Sequence, residues 1–255
     1  MPIIQSVERA LRILDLFDEY HKELKITEIS SRMDLHKSTV HSLLKTLQVH
    51  RYIEQNPDSG KYRLGMKLLE RSSRLVQSLD IRQVANNYLQ TLSKTTGQTA
   101  HLVVLDGKEG VYIDKVEGEK AVIRYSRIGR RIPLHCSAVG KALVAYKSPK
   151  ELSSILKGYD YQKHTDRTIR SEEAFLLELE QVKQRGYATD DQENEPGVFC
   201  IAAAVRDHTG EVTAAVSISM LQARVTDEDK ERYIKLLLQA AGELSERMGY
   251  GIMIG

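Results

Sequence analysis

Ser217 and Ser219 stand two apart in a stretch, 212–219, that reads as a β-strand, so both hydroxyls project from one face. A strand face buried in a core normally carries Val or Ile. A buried hydroxyl left unpaired costs about 1–3 kcal/mol. The two serines therefore need partners, and an anionic ligand, backbone or water would each serve. A helix beginning near Ala138 would offer backbone N–H groups at its start, a natural seat for a carboxylate. Cys136, Cys200, His135 and His208 have the side chains that ligate metals. The cysteines lie far apart, with no close-spaced pair, which points to core packing and to no metal. A Cys–His nucleophile pair could meet only in space. Gly140-Lys141 fails as a phosphate-binding loop, which needs Gly at 135 and Ser or Thr at 142, where His135 and Ala142 stand. No nucleophile elbow, HExxH or dinucleotide fingerprint is present. The expectation is a protein that is not an enzyme and carries no cofactor.

A second group of residues suits DNA. Between Leu35 and Ile53 there is no acidic residue. Lys37, Ser38, Thr39, His41, Ser42 and Lys45 share the polar face of one helix, with Arg51 just beyond it. Short hydrogen-bonding groups at the start and cations further along are what a recognition helix presents to base edges and phosphates. Lys61, Tyr62 and Arg63 follow on a short hairpin, placed to contact backbone or minor groove. A solvated helix with incidental lysines would show the same charges. The surrounding elements favour the DNA reading.

Residues 6–18 have helical spacing, with Ser6 as the expected cap. A second helix is expected over 27–32, a turn at Asp34 and Leu35, and a third helix from 37 or 38 to 50. In the third helix Val40, Leu43, Leu44 and Leu47 form one apolar stripe. Extended stretches at 52–55 and 61–64 flank turn residues 56–60. That order is a winged helix-turn-helix. Residues 66–79 predict an amphipathic helix, either a dimer helix or one packed on its own domain. Asp80 is the expected cap of a helix running to about Thr96 and closed by Gly97. Strands are then expected at 99–105, 111–116, 121–126, 200–206 and 212–219. Helices are expected at 138–146, 149–157, 171–185 and from Thr226 to about Gly249, with capping-box spacing at Thr226 and Asp229.

Apolar residues make up 41% of the 255-residue chain and charged residues 28%, with a net charge of +2. Real cores are expected, and any basic footprint must be local. Two cysteines make no disulfide framework. No signal peptide or membrane span is evident, so the expected location is the cytoplasm.

The residues also resemble the IclR family of regulators. The N-terminal likeness runs from Ser6-Val7-Glu8-Arg9-Ala10 through Leu35-His36-Lys37-Ser38-Thr39-Val40-His41 to Leu64-Gly65. The C-terminal likeness includes Gly129-Arg130 and Pro133-Leu134-His135-Cys136-Ser137-Ala138-Val139-Gly140-Lys141-Ala142. It continues through Arg185-Gly186-Tyr187-Ala188, Asp190-Asp191 and Glu193-Asn194-Glu195-Pro196-Gly197-Val198 to Ser217-Ile218-Ser219. It departs where the turn often has Gly and this chain has Asp34, and where Pro is common and His36 stands. The resemblance implies an α+β protein: an N-terminal winged helix-turn-helix, a linker helix, and a C-terminal GAF-like antiparallel sheet with flanking helices. The implied domains are 1–65 for DNA, with the helix-turn-helix at about 26–45, then the 66–79 linker and 80–252 for the effector. It implies a homodimer, or a dimer of dimers, on a palindromic double-stranded operator. The effector-contacting positions it implies are Ala138, Val139, Asp190, Cys200, Ser217 and Ser219, with Leu143 and Tyr146 as further walls. A carboxylate at Asp190 points to an effector with both a carboxylate and a hydroxyl or hydrated carbonyl. The leading expectation is a repressor controlled by such an acid. The rivals are a metal- or redox-responsive sensor using Cys136 and Cys200, and an enzyme with an incidental helix-turn-helix.

Overall fold

The computed structural model describes residues 3–18, 20–71, 80–120 and 126–251. The chain divides into two compact units, Met1–Ser78 and Leu79–Gly255.

In the first unit α1 (Gln5–Leu14), α2 (Ile26–Met33) and α3 (Lys37–Val49) precede a hairpin of β1 (Ile53–Gln55) and β2 (Tyr62–Leu64). The hairpin pairs Ile53 with Leu64 and Gln55 with Tyr62. Ile13, Ile29, Val40, Leu44 and Ile53 form its fully buried centre. The α2–α3 turn holds because Asp34 adopts the left-handed conformation (φ 54°), which Asp tolerates better than most residues. Ser6 does not cap α1. The helix starts one residue earlier with Ile4 at the cap and no side-chain cap bond. Gly65 closes the wing. A Cβ there would lie 2.2 Å from the carbonyl oxygen of Arg51, itself left-handed (φ 61°). Residues 67–71 are helical. The rest of the expected 66–79 helix lies outside the described residues.

Among the described residues, the second unit is built on a six-stranded antiparallel sheet: β3 (Thr99–Asp106), β4 (Glu109–Val116), β5 (Arg131–Pro133), β6 (Ala188–Asp191), β7 (Val198–Arg206) and β8 (Val212–Leu221). Its spatial order is β5-β4-β3-β8-β7-β6. On one face α4 (Asp80–Thr96) and α8 (Asp227–Arg247) bury Leu89, Leu92, Tyr233 and Leu237 against Leu102, Ile201, Val216 and Ile218. On the other, α5 (Ala138–Val144), α6 (Pro149–Leu156) and α7 (Glu172–Arg185) pack Ala142, Leu156, Phe175 and Leu179 against Val103, Ala202 and Ala215. The Thr226–Asp229 capping box forms. The two strands the pattern missed, β5 and β6, are the sheet's margins. Three and four residues are too short to display alternation, and the Asp190-Asp191 pair is poor strand chemistry. The expected strand at 121–126 falls almost wholly outside the described residues, as does the side chain of the expected cap Asp80. The α+β class and its antiparallel sheet are as expected.

Candidate DNA-reading face and effector cavity

The burial of Val40, Leu44 and Leu47 decides which side of α3 faces out. Lys37, Ser38, His41, Ser42 and Lys45 are exposed and Thr39 is half-buried. The polar side is thus not packed against the unit's own interior. The Ser42 hydroxyl donates to the Ser38 carbonyl oxygen at 3.1 Å, so it is partly engaged within the helix. Arg51 is exposed at the end of the helix. The hairpin differs from expectation. Tyr62 is 6% exposed and belongs to the core, because its position in β2 points inward under the Leu24 bridge. Lys61 is half-buried. Arg63 is exposed but pairs with Glu54 at 3.3 Å and Glu23 at 3.9 Å, so its charge is partly neutralised. A notch lined by Ser31, Asp34 and His36, none of them anticipated as functional, opens beside the start of α3.

In the second unit strand register sets four side chains in a row. Thr99 pairs with Ser219, Ser219 with Cys200, and Cys200 with Asp190. The adjacent row carries His101 beside Ser217. These rows and the first turn of α5 enclose a cavity of about 30 Å³. Of the residues implied by resemblance, Ala138, Val139, Asp190, Cys200, Ser217 and Ser219 line it together. Tyr112, Ser126, Ser137, Asn194 and Glu195 also line it and were not singled out. Asn194 and Glu195 were within reach, since they sit in the segment that carries the resemblance. Tyr112 comes from β4, whose register no spacing reveals, and Ser126 lies outside any described strand.

Two expected walls are not walls. Leu143 is fully buried and faces the Gly110 side of the sheet, a turn of helix beyond Val139. Tyr146 lies past the end of α5, its ring covered by the Arg206 guanidinium at 4.1 Å.

Several polar groups around the cavity are engaged, while Thr99 Oγ1 is buried with no hydrogen-bond partner among the described residues. The Ser137 hydroxyl caps α5, accepting from the Gly140 N–H at 3.1 Å. The Ala138 and Val139 N–H groups precede any i−4 carbonyl. The Cys200 thiol donates to the Ser219 hydroxyl at 3.1 Å. His101 bridges two serines, Nε2 to Ser126 at 2.8 Å and Nδ1 to Ser217 at 3.4 Å. Burial drives its pKa down to about 3, so the ring is neutral. Asp190 is 3% exposed, and its Oδ1 accepts the N–H groups of Glu193 (2.7 Å) and Asn194 (3.2 Å). Burial pushes its pKa up to about 7. Behind this loop the buried Lys141 ammonium contacts Glu193 at 2.6 Å, Glu178 at 3.4 Å and the Thr189 carbonyl at 2.8 Å. Lys141 therefore secures the loop; sequence reasoning had weighed it only as a phosphate ligand.

Could the site hold metal? Donor atoms of His135, Cys136 and His164 lie within 4.8 Å of one another. His135 is already satisfied, Nε2 donating to the Gln162 carbonyl and Nδ1 accepting from the Tyr159 hydroxyl, both at 3.1 Å. The Cys136 thiol reaches Asn194. Cys136 and Cys200 are free thiols, not joined in a disulfide, and both are pushed up by burial, which leaves them inert rather than redox-poised. The metal- or redox-sensor alternative is not supported.

A winged helix followed by a domain with a polar cavity is the architecture of a DNA-binding transcription regulator. The model of the IclR helix-turn-helix domain matches residues 6–57, and that of the bacterial transcriptional regulator IclR C-terminal domain matches residues 73–246. The chain belongs to the IclR family. It is 56% identical over 250 residues to the HTH-type transcriptional regulator XynR of Escherichia coli strain K12, covering 98% of this chain and 99% of that one. It is 31% identical over 245 residues to the transcriptional repressor AllR of the same strain, covering 96% and 90%. The Thermotoga maritima IclR structure superposes with a TM-score of 0.80 at 34% identity, covering 96% and 99%. An IclR homolog of Microbacterium hydrocarbonoxydans complexed with 4-hydroxybenzoate superposes with a TM-score of 0.82 at 25% identity, covering 95% and 98%. No helix among the described residues is long and apolar enough to cross a membrane.

Proposed function

We propose that this protein is a cytoplasmic repressor that binds a palindromic operator and is controlled by a small hydroxy- or oxo-carboxylate. The observation that carries the reading is the exposed face of α3, together with the hydroxyl-lined cavity of the second unit. Ser38, Thr39 and His41 would meet base edges, with Ser42 beside them. Lys37, Lys45, Arg51 and Lys61 would meet phosphates. Arg63 would contribute less, being paired. The effector would sit among Ala138, Val139, Asp190, Cys200, Ser217 and Ser219, its carboxylate toward the start of α5. A relative complexed with 4-hydroxybenzoate, which has both a carboxylate and a hydroxyl, supports that ligand class. A relative named as a repressor supports the sign of regulation.

One recognition helix reads only a few base pairs, so a homodimer, or a dimer of dimers, is the working form. The sequence of α1 supports it. Ile4, Val7 and Leu11 are spaced to share one side of the helix and are 68%, 53% and 57% exposed. An apolar stripe of that kind suits a second copy of the chain.

The test is fluorescence anisotropy on duplexes from upstream of the coding gene, at several salt concentrations, with and without hydroxy- and oxo-acids. Salt-sensitive binding that an acid weakens is expected. Indifference to duplex DNA at low ionic strength would overturn the reading.

A further inference from the structure

We propose that Asp190 selects the effector by gripping its carboxylate through a shared proton, so that each acid molecule enters together with one hydrogen ion. This rests on the effector reading above and sharpens it. The argument begins with the charges around the cavity. Among the described residues that line it are two carboxylates, Asp190 and Glu195, and no Lys or Arg. Glu193 stands directly behind Asp190. From α5, Lys141 is the cation that acts on Asp190, but its ammonium is held by Glu193, Glu178 and the Thr189 carbonyl. Cys136, Cys200 and Tyr112 also face Asp190, and burial pushes each of them toward its neutral form. Arg130 acts on Tyr112, and Arg130 and Glu195 each have a further interaction of their own. His101 lies behind the serines and is uncharged.

An anion entering such a space meets like charge in a medium that screens poorly. Neutralising Asp190 removes the repulsion from its own carboxylate. The carboxyl is arranged for it. Oδ1 is occupied by two backbone N–H groups, while Oδ2 has no hydrogen-bond partner among the described residues. A proton from the buffer forms an O–H bond on Oδ2, and that O–H donates to the effector's carboxylate. Oδ1 keeps its lone pairs for the loop. Burial already brings this carboxyl to about 7, so the proton is available near neutrality, and an adjacent anion raises the affinity for it further. The opposed arrangement has an effector hydroxyl donating to an ionised Asp190, and it takes up no proton.

Calorimetry of the full-length protein separates the two. Gluconate, glycolate, glyoxylate and 4-hydroxybenzoate are titrated between pH 5.5 and 8.5 in pairs of buffers with different ionisation heats. At pH 8 the bound acid should bring close to one proton per site, and at pH 5.5 almost none. Affinity should fall about tenfold per pH unit above 7. Asp190→Asn places an N–H donor at the same point, so its affinity should stay flat with pH and its proton uptake vanish. Binding by the wild type at pH 8 without uptake, or uptake persisting in the Asn variant, overturns the proposal. If the Asn variant does not fold, the wild-type buffer comparison decides alone. If none of the acids binds even at pH 5.5, the carboxylate-effector reading fails first, and this one with it.

Discussion

The ammonium of Lys141 lies 2.6 Å from the carboxylate of Glu193, with the lysine side chain 1% exposed and the glutamate 12%. One pair thus ties α5, whose first turn lines the cavity, to the loop whose N–H groups hold Asp190. Removing one partner leaves the other buried and uncompensated. Lys141→Met should cost about 3–5 kcal/mol. Adding Glu193→Gln should recover a large part of that loss, because the orphaned charge is gone. Denaturant unfolding of the four forms of this cycle measures the coupling. A loss that is unchanged in the double variant would show that Lys141 acts through its stem and not its charge.

On DNA, phosphate and base contacts should separate. If Lys37, Lys45, Arg51 and Lys61 each meet one phosphate in each half of a dimeric complex, log K should fall against log salt with a slope of about −7. Lys45→Ala should flatten that slope by about 2 and weaken all duplexes alike. His41→Ala should leave the slope intact and cost about 1–3 kcal/mol at the cognate site only. Arg63→Ala should change the slope little, since Glu54 and Glu23 already face it. Equal losses for all three variants on random DNA would mean that α3 is docked differently.

Asp190 gives stability an unusual pH dependence. In the folded chain it keeps its proton up to about pH 7, whereas a free aspartate releases it near 3.8. A raised pKa in a carboxyl group means that the folded state binds the proton more tightly. Its contribution is therefore full below about pH 4 and lost as pH climbs through 7. Asp190→Asn, which cannot ionise, should be more stable than the wild type by about 4 kcal/mol at pH 8. The two should converge near pH 4. Unfolding midpoints at both pH values are the measurement, and a wild type that outlasts the variant at pH 8 would contradict the sign.

The exposed stripe of α1 makes its own prediction. Val7→Glu with Leu11→Glu places two charges in a face suited to a second copy, so the assembly seen by analytical ultracentrifugation should shrink. Operator affinity should drop with it, since each half-site is then bound alone. Ile13, on the buried side of the same helix, is fully enclosed. A double variant of unchanged mass would place the interface elsewhere.

Much of the fold was legible because hydrophobic period and turn chemistry agreed. The stripe of Val40, Leu44 and Leu47 announced both α3 and its free side, and Thr226 with Asp229 announced α8. The failures have physical causes. A hairpin of three-residue strands gives no alternation to read, so the inward position of Tyr62 was invisible. The row of Asp190, Cys200, Ser219 and Thr99 depends on register between distant strands, which no local spacing encodes; resemblance supplied three of the four. Leu143 and Tyr146 were expected as further walls, but helical rotation carries the one into the core and chain direction carries the other out of reach.

The margins of the second unit's sheet are β5, which ends in Pro133, and β6, which ends in Asp190-Asp191. Proline has no N–H to offer, and short or charged edges make poor templates for another chain's backbone. Strand-to-strand zippering between molecules is therefore blocked at both ends. The described edges of this sheet should thus resist fibrous association between copies.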